Sequence, residues 1–296
     1  MKLCKPLFEI WEQSAGLEGV YKMIEYAGRV CYKSEDKITE DSAKPFVDRM
    51  IKSGHGAMLE HGTVYLQYET AKSAINPLTK YYLNKYSKVK AKEGAIEETM
   101  KLFVTTNLRV LVENDWLDDL QYICEPTEFH EKRITVHFVC DRGVSHEFVR
   151  HRVMSFAQES TRYCNYSKDK FGNELTFIIP CWLDIPTGHY AYWDGDWCDI
   201  DKMKIQLPEG EHKDIDAFLW TLNNAETHYT LLINSGWKPQ EARAVLPNSL
   251  KTELVMTGFV SDWKHFFELR CDSAAHPQAR ELAITLREEF IKRNYI

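Results

Sequence analysis

Residues 133–163 read RITVHFVCDRGVSHEFVRHRVMSFAQESTRY, and the order of patterns in this stretch sets the framework of the chain. From Arg133 to Cys140 polar and apolar side chains alternate, the period of a strand with one buried face. Val144 and Phe148 then stand at helical spacing and open a helix that leads into Arg150. Beyond it, three guanidiniums, one imidazole and two serines fall within the fourteen residues Arg150–Tyr163. Arginine carries a fixed planar fork of donors, so a cluster of them suits bidentate binding of phosphate or carboxylate. A solvated charged face rarely interleaves arginines with Ser, Thr, Gln and Tyr in this way. The competing reading is a helix end and surface loop held by ion pairs.

Outward from that stretch, Leu17, Val20, Ile24 and Ala27 recur at helical spacing. Thr39 is expected to cap a helix that carries Phe46, Val47, Met50 and Ile51 and ends at Gly54. Thr63 to Tyr68 alternates like a half-buried strand. The span from about Glu69 to Glu131 holds a lysine-rich Lys72–Lys92 segment and a helical Ile96–Trp116 pattern. Leu175 to Ile179 reads as a strand closed by Pro180, and Gly188 to Glu211, rich in Tyr, Trp, Asp and Gly, as a loop. Ile215 to Ile233 is the clearest helix, with Phe218, Leu222, Ala225, Tyr229 and Leu232 on one face and Gly236 at its end. Pro239 opens a short helix through Arg243. A strand near Leu250–Thr257 precedes a helix capped by Ser261, and a final helix carries Ala279, Leu282, Ala283, Leu286 and Phe290. Strands and helices mix without regular βαβ alternation, which favours an α+β fold.

Bulk properties suit a soluble enzyme. At 296 residues the chain is one large domain or two small ones, and 44% hydrophobic with 27% charged residues is ordinary for a globular protein. The net charge of −7 argues against non-specific nucleic-acid binding, which needs a broadly basic surface. A local basic pocket on an acidic protein suits a small anionic ligand instead. The first residues lack the apolar core of a signal peptide, and no run reaches transmembrane length, so no membrane partner is expected. Eight cysteines form no CxxC pair, which suggests reduced thiols and a cytoplasmic location. No GxGxxG, GxxxxGK[ST] or HExxH occurs, and the pairs His55/His61 and His146/His151 are poorly spaced for a shared metal, so no metal is expected. Cys181 after Pro180 lacks the surroundings of a nucleophile and reads as a buried thiol at a strand end.

The pattern Arg150-His151-Arg152, seven residues, then Ser160-x-Arg162-Tyr163 resembles the signature of the flavin-dependent thymidylate synthases, the ThyX family. Three other segments agree in order: Ser53-Gly54-His55 with Leu59-Glu60-His61, Ser235-Gly236 through Glu241 to Pro247, and Met256-Thr257-Gly258 with Trp263 to Arg270. The resemblance implies a ThyX-like α+β fold with a central mixed or antiparallel sheet flanked by helices. It also implies a single catalytic domain over residues 1–296, with insertions at about 69–131 and 188–211. The implied reaction is reductive methylation of dUMP to dTMP, with 5,10-methylenetetrahydrofolate as carbon donor and FADH2, regenerated by NADPH, as hydride donor. The flavin carries the redox step while the protein supplies orientation and electrostatics.

Residue roles carry over position by position. Glu147, Arg150, Gln158, Glu159, Ser160, Thr161, Arg162, Arg243 and Arg270 match nucleotide contacts, with Arg150 and Arg162 suited to the phosphate. His55, Arg150, His151, Arg152, Gln158 and His265 match FAD contacts. Arg270 matches the catalytic arginine that holds the uracil edge, where a fixed cation stabilises developing negative charge. A homotetramer with active sites shared between subunits is also implied. The chain departs from the pattern at Ala157-Gln158, where Asn-Glu is usual, at Phe259-Val260-Ser261, where a flavin-binding Asn-x-Arg is usual, at Glu147 in place of Gln, and at Cys31 in place of a small hydroxyl residue. Glu147 stands three and four residues before Arg150 and His151, where it can brace them; a carboxylate repels a phosphate, so it is otherwise expected to meet the uracil edge or an arginine. Two other classes remain open: a nucleotide- or RNA-binding module stacking bases on Phe156, Tyr163 and Tyr166, and a relative that has lost its activity.

Overall fold

A computed structural model describes residues 1–71, 79–94, 99–168, 171–193, 196–199 and 213–296. The first half runs β1 (Lys2–Cys4), β2 (Leu7–Trp11), α1 (Gly16–Tyr32), α2 (Ala43–Lys52), α3 (Gly56–Leu59), β3 (Thr63–Ala71), α4 (Thr79–Tyr82), β4 (Lys88–Glu93), β5 (Thr99–Asn107) and α5 (Leu108–Glu113). There follow β6 (Arg133–Asp141), α6 (Arg142–Phe148), β7 (Ser155–Gln158), β8 (Thr176–Ile178), β9 (Gly188–Trp193) and β10 (Asp196–Asp199). The last part is α7 (Lys213–Asn234), α8 (Pro239–Ala242), β11 (Lys251–Phe259), α9 (Val260–Arg270) and α10 (Pro277–Lys292). Three sheets result, in the orders β2-β6-β11-β7, β10-β9-β1-β8 and β3-β5-β4. The α+β expectation is met.

The β2-β6-β11-β7 sheet is antiparallel throughout, and β6 pairs with β11 over its whole length, from Arg133 opposite Phe259 to Asp141 opposite Lys251. Its two faces differ because side chains alternate along each strand. One face presents Ile134, Val136, Phe138, Cys140, Leu254 and Met256 to Trp263, Phe266 and Phe267 of α9 and to Leu282, Leu286 and Phe290 of α10. The other presents Ala157 and Val255 to Ala27 and Val30 of α1, beside a band of buried polar groups. In that band Glu253 accepts from Lys33 and Lys251 through Oε1 and meets His137 Nε2 at 3.0 Å through Oε2. Burial works to raise the Glu253 pKa, yet His137, Lys251 and Lys33 together hold it well below the ordinary carboxylate range. Fully buried His61 meets Thr257 Oγ1 at 2.8 Å, and burial, reinforced by the charge of Arg133, lowers its pKa to about 3.

The structure corrects several local expectations. The Ile96–Trp116 pattern is not helical through its length: Thr99–Asn107 is strand β5, and helix begins only at Leu108. The end of β5 is buried on both faces, which hides the strand period, while Val104, Thr105 and Thr106 supply β-branched side chains that favour the extended form. Gly188–Glu211 is not simply a loop: Gly188–Trp193 and Asp196–Asp199 pair antiparallel, and Tyr190 and Trp197 fill a core with α7. Residues 194–195 and 200–211 of that expectation lie outside the described residues, as do 96–98 of the helical pattern and 72–78 of the lysine-rich segment. The second helix starts at Ala43 rather than after Thr39, whose N–H donates to Ser42 Oγ. Helix α9 starts before Ser261: Asp262 accepts the Phe259 N–H at 2.9 Å, while Ser261 Oγ donates to Glu131. Strands β1, β2 and β7 were not anticipated from the sequence.

The span 69–131 is built into the body of the protein. Leu102, Val104, Leu108 and Leu111 share a core with Val20 and Ile24 of α1, Phe46 and Val47 of α2, and Val64 and Leu66 of β3. Truncating Leu108 or Leu111 to Ala is therefore expected to cost about 2–5 kcal/mol of unfolding free energy in urea; a change below ~0.5 kcal/mol would show the span to be an energetically separate appendage. A second expectation concerns pH. His61 is neutral in the fold, whereas in the unfolded chain it gains a proton below its ordinary pKa of 6.5, so stability should fall as pH drops from 6.5 toward 3. The slope is about 1.4 kcal/mol per pH unit for one such group. His61→Asn should flatten the profile between about pH 6 and pH 4, a window that lies between the folded and unfolded pKa values of this group; an unchanged slope would remove His61 as its source.

Candidate active site

Two helices bring the first group of signature residues together. Asp141 caps α6 by accepting the Val144 N–H at 2.8 Å, which fixes the direction in which the helix leaves β6. Phe148 near its end packs on Phe266 of α9 with ring centroids 5.0 Å apart. That contact sets Glu147 and His151 beside Arg270, the last residue of α9. Arg270 donates from Nη1 to Glu147 Oε2 and from Nη2 to the Glu147 carbonyl, each at 2.7 Å, and from Nε to His151 Nε2 at 3.1 Å. Because His151 accepts on Nε2, it is neutral with its proton on Nδ1. Burial, then the charges of Arg270 and His265, lower its pKa to about 4, in agreement with that assignment. His265 lies edge-on to His151 at 6.1 Å and is exposed.

Glu147 therefore meets an arginine, and it is Arg270. Its carboxylate does not pair with Arg150 or His151, since α6 ends at Phe148 and the chain beyond no longer follows helical spacing. Three of the five N–H groups of Arg270 are engaged within the chain, which leaves one on each Nη available.

A second group forms where β7 ends. The Ser160 N–H donates to the Cys31 carbonyl at 3.1 Å, tying this turn to the end of α1. Ser160 Oγ accepts the Arg162 N–H, and the Arg162 guanidinium lies 5.4 Å from the Tyr163 ring centroid. Arg243, in the turn after α8, donates to Thr161 Oγ1 at 3.2 Å. The Tyr163 ring in turn meets Tyr32 at 5.4 Å.

The neighbouring carboxamide and carboxylate are already engaged. Gln158 donates to Ser145 Oγ and Thr252 Oγ1, on the face of the sheet that α6 covers. Glu159 alternates to the other face, is nearly fully buried, and accepts from Tyr166 and Lys251. His55 is exposed at the start of α3. Among the described residues, no hydrogen bond or ion pair joins the Arg270 group to the Ser160 group.

The charge distribution separates these arginines. Arg270 is ion-paired with Glu147. Arg150, Arg152, Arg162 and Arg243 are exposed, and among the described residues none of them has a carboxylate partner. Exposed guanidiniums without a carboxylate partner among the described residues are suited to an anionic ligand. Sequence reasoning missed Lys251 and Lys33, which neutralise the carboxylates beside the site; their place in strand and turn gave no periodic signal. Cys181, expected to be buried, is exposed, because the chain turns outward after Pro180. Desolvation raises the thiol pKa values of Cys4, Cys124, Cys181 and Cys271, and brings Cys31 to about 11, so none of these is a ready thiolate at neutral pH. Among the described residues no group of His, Cys, Asp and Glu is arranged to hold a metal, and no helix is long and apolar enough to cross a membrane.

The chain is similar to several known proteins. The chain is 31% identical over 160 residues to a flavin-dependent thymidylate synthase of Pyrococcus furiosus, covering 53% of each chain. It is 23% identical over 286 residues to the enzyme of that name from Corynebacterium aurimucosum, covering 94% of this chain and 80% of that one. The chain thus spans about half the length of the Pyrococcus relatives that it matches. It is also similar to the structure of a UMP/dUMP methylase, PolB, from Streptomyces cacaoi bound with 5-Br dUMP, at 18% identity with a TM-score of 0.43 over 99% of this chain and 93% of that one. The profile of the family described as "Thymidylate synthase complementing protein" matches residues 89–293, well over half of the sequence, and the chain belongs to that family.

Proposed function

We propose that the protein is a flavin-dependent thymidylate synthase, which converts dUMP to dTMP with 5,10-methylenetetrahydrofolate as carbon donor and FADH2, regenerated by NADPH, as hydride donor. The observation that carries this reading is the Ser160–Thr161 turn with the exposed guanidiniums of Arg162 and Arg243 beside it, neither of which has a carboxylate partner among the described residues. A dianionic phosphate satisfies such a set with charge-assisted hydrogen bonds, each about twice as strong as a neutral one. Arg150, Ser160 and Arg162 hold the dUMP phosphate, and Arg243 with Thr161 supports that contact. Arg270 offers its two remaining N–H groups to the uracil edge; Glu147 and His151 fix the plane of the guanidinium, so no reorganisation is needed as charge develops.

The residues present also suit FAD. His55, Arg152 and His265 are exposed, and neutral His151 keeps its Nδ1–H to donate without adding charge. When bound, the flavin supplies the hydride; the protein orients it and keeps the pyrimidine against Arg270. Gln158 bears on both ligands through its position between Ser145 and Thr252, and Glu159 through Lys251, by holding the strand end that carries Ser160. We read the whole chain as one catalytic domain of a cytoplasmic enzyme, with the 69–131 and 188–211 spans as additions to it. A homotetramer accounts for the separation of the Arg270 and Ser160 groups, which then meet around one flavin from different subunits.

The direct test is formation of dTMP from dUMP by the purified yellow protein with methylenetetrahydrofolate and NADPH, together with growth of a thymidine-auxotrophic strain. Soluble, flavin-loaded protein that does neither would leave the reading without support. Arg270→Ala should lower kcat by about 10²–10³ with flavin content retained; near-wild-type turnover would remove Arg270 from the chemical step. Cys164→Ala and Cys181→Ala should each keep activity within about threefold of wild type, a difference of under ~1 kcal/mol in barrier. A flavin-loaded but inactive Cys181→Ala enzyme would point to thiolate addition instead.

A further inference from the structure

A groove of about 610 Å³ runs along the end of α1 and one side of α2, lined by Arg29, Tyr32, Lys37, Phe46, Arg49 and His55, among others. Its size is that of a small-ligand site. It adjoins the substrate-binding turn: Tyr32 packs on Tyr163, and the residue before Tyr32 accepts the Ser160 N–H. Its charge is one-sided. Arg29 is bound to Glu25 and lies 4.9 Å from the Phe46 ring centroid, which uses its charge within the fold. Arg49 lies over the same ring at 5.4 Å, and neither Arg49 nor Lys37 has an ion-pair partner among the described residues. Both are exposed, and Asp36 is the one carboxylate among the lining residues.

We propose that this groove binds the acidic γ-glutamyl tail of the folate co-substrate, and that the enzyme prefers folates with several glutamates. This rests on the thymidylate-synthase reading. The pterin must reach the uracil and the flavin to deliver its carbon, so the rest of the folate leaves the reaction centre past His55, along this groove. Tyr32 offers its ring to the aminobenzoyl segment, while buried Phe46 carries the guanidiniums of Arg29 and Arg49 on its ring. Beyond them Arg49 and Lys37 meet carboxylates that are spaced along a chain, as single charges. The diphosphate of the flavin is served instead by Arg150 and Arg152. Exposed ion pairs are individually weak, so the preference grows with each added glutamate and fades with salt.

The experiment measures Kd for tetrahydrofolate and its triglutamate by calorimetry on the FAD-loaded enzyme, in wild type and in a Lys37→Gln/Arg49→Gln double variant. Wild type should bind the triglutamate about three- to tenfold more tightly at low salt, and the ratio should approach one in the variant and in 0.5 M NaCl. Equal affinities in wild type, or a ratio that survives the double substitution, would overturn the proposal. Loss of FAD affinity in the variant with an unchanged folate ratio would also overturn it, assigning the groove to the flavin diphosphate. Because binding is read directly, absence of dTMP formation would count against the catalytic reading while this ratio still decides the groove.

Discussion

The pairing of β6 with β11 along nine residues is the constraint on which the rest of the molecule depends. The strands are antiparallel, so α6 leaves from one end of the pair and α9 from the other. Nine residues of strand measure about 30 Å. The eleven residues of α9 and seven of α6 measure about 16 and 10 Å. Both helices run inward over the same apolar face, and their ends meet near its middle, where Phe148 packs on Phe266. Arg270 and Glu147 stand at that junction. Arg270 is thus positioned by strand length and helix length. A cation at the end of α9 is favoured by the helix dipole as well.

The opposite face of the same sheet carries the charges that would otherwise trouble an anion site. Glu159 and Glu253 lie close behind the signature turn, and a bare carboxylate there would repel a phosphate. Lys251 bridges both, and Lys33 adds a second cation to Glu253. Burial tends to lower the Lys251 pKa, but the two glutamates more than reverse this, so it remains charged. The buried ions are mutually neutralised, and the exposed arginines are left with a net positive field. The division is physical: a buried charge must be paired, whereas an exposed guanidinium can wait for its ligand.

Much of this was legible from residue patterns. The long period-two run Arg133–Cys140 and the helical runs in α1, α7 and α10 gave correct elements, because each has one buried and one wet face. Strand β5 was hidden for the converse reason: its last residues are buried on both sides, so no period marks it. The β9–β10 hairpin looked like a loop because its aromatic residues come with Asp and Gly, and only the pairing with β1 gives them a core. Strand β7 was obscured by the polar sequence around it. At the site, the arginines and histidines were visible, and so was their suitability for an anion. What each side chain touches was not. That Glu147 would grip Arg270, 123 residues distant, and that Gln158 would face Ser145 rather than Ser160, follow from sheet register and helix length, which no local pattern encodes.

The central claim is that the unpaired arginines hold a nucleotide phosphate, and calorimetric titration of the FAD-loaded protein with dUMP and with deoxyuridine tests it most directly. The phosphate should improve binding by about 100-fold or more, since two charge-assisted contacts contribute roughly 1.5–3 kcal/mol each. Most of that advantage should vanish in Arg150→Ala/Arg162→Ala. Equal affinity for the nucleoside and the nucleotide, or an advantage that survives the double substitution, would contradict the assignment.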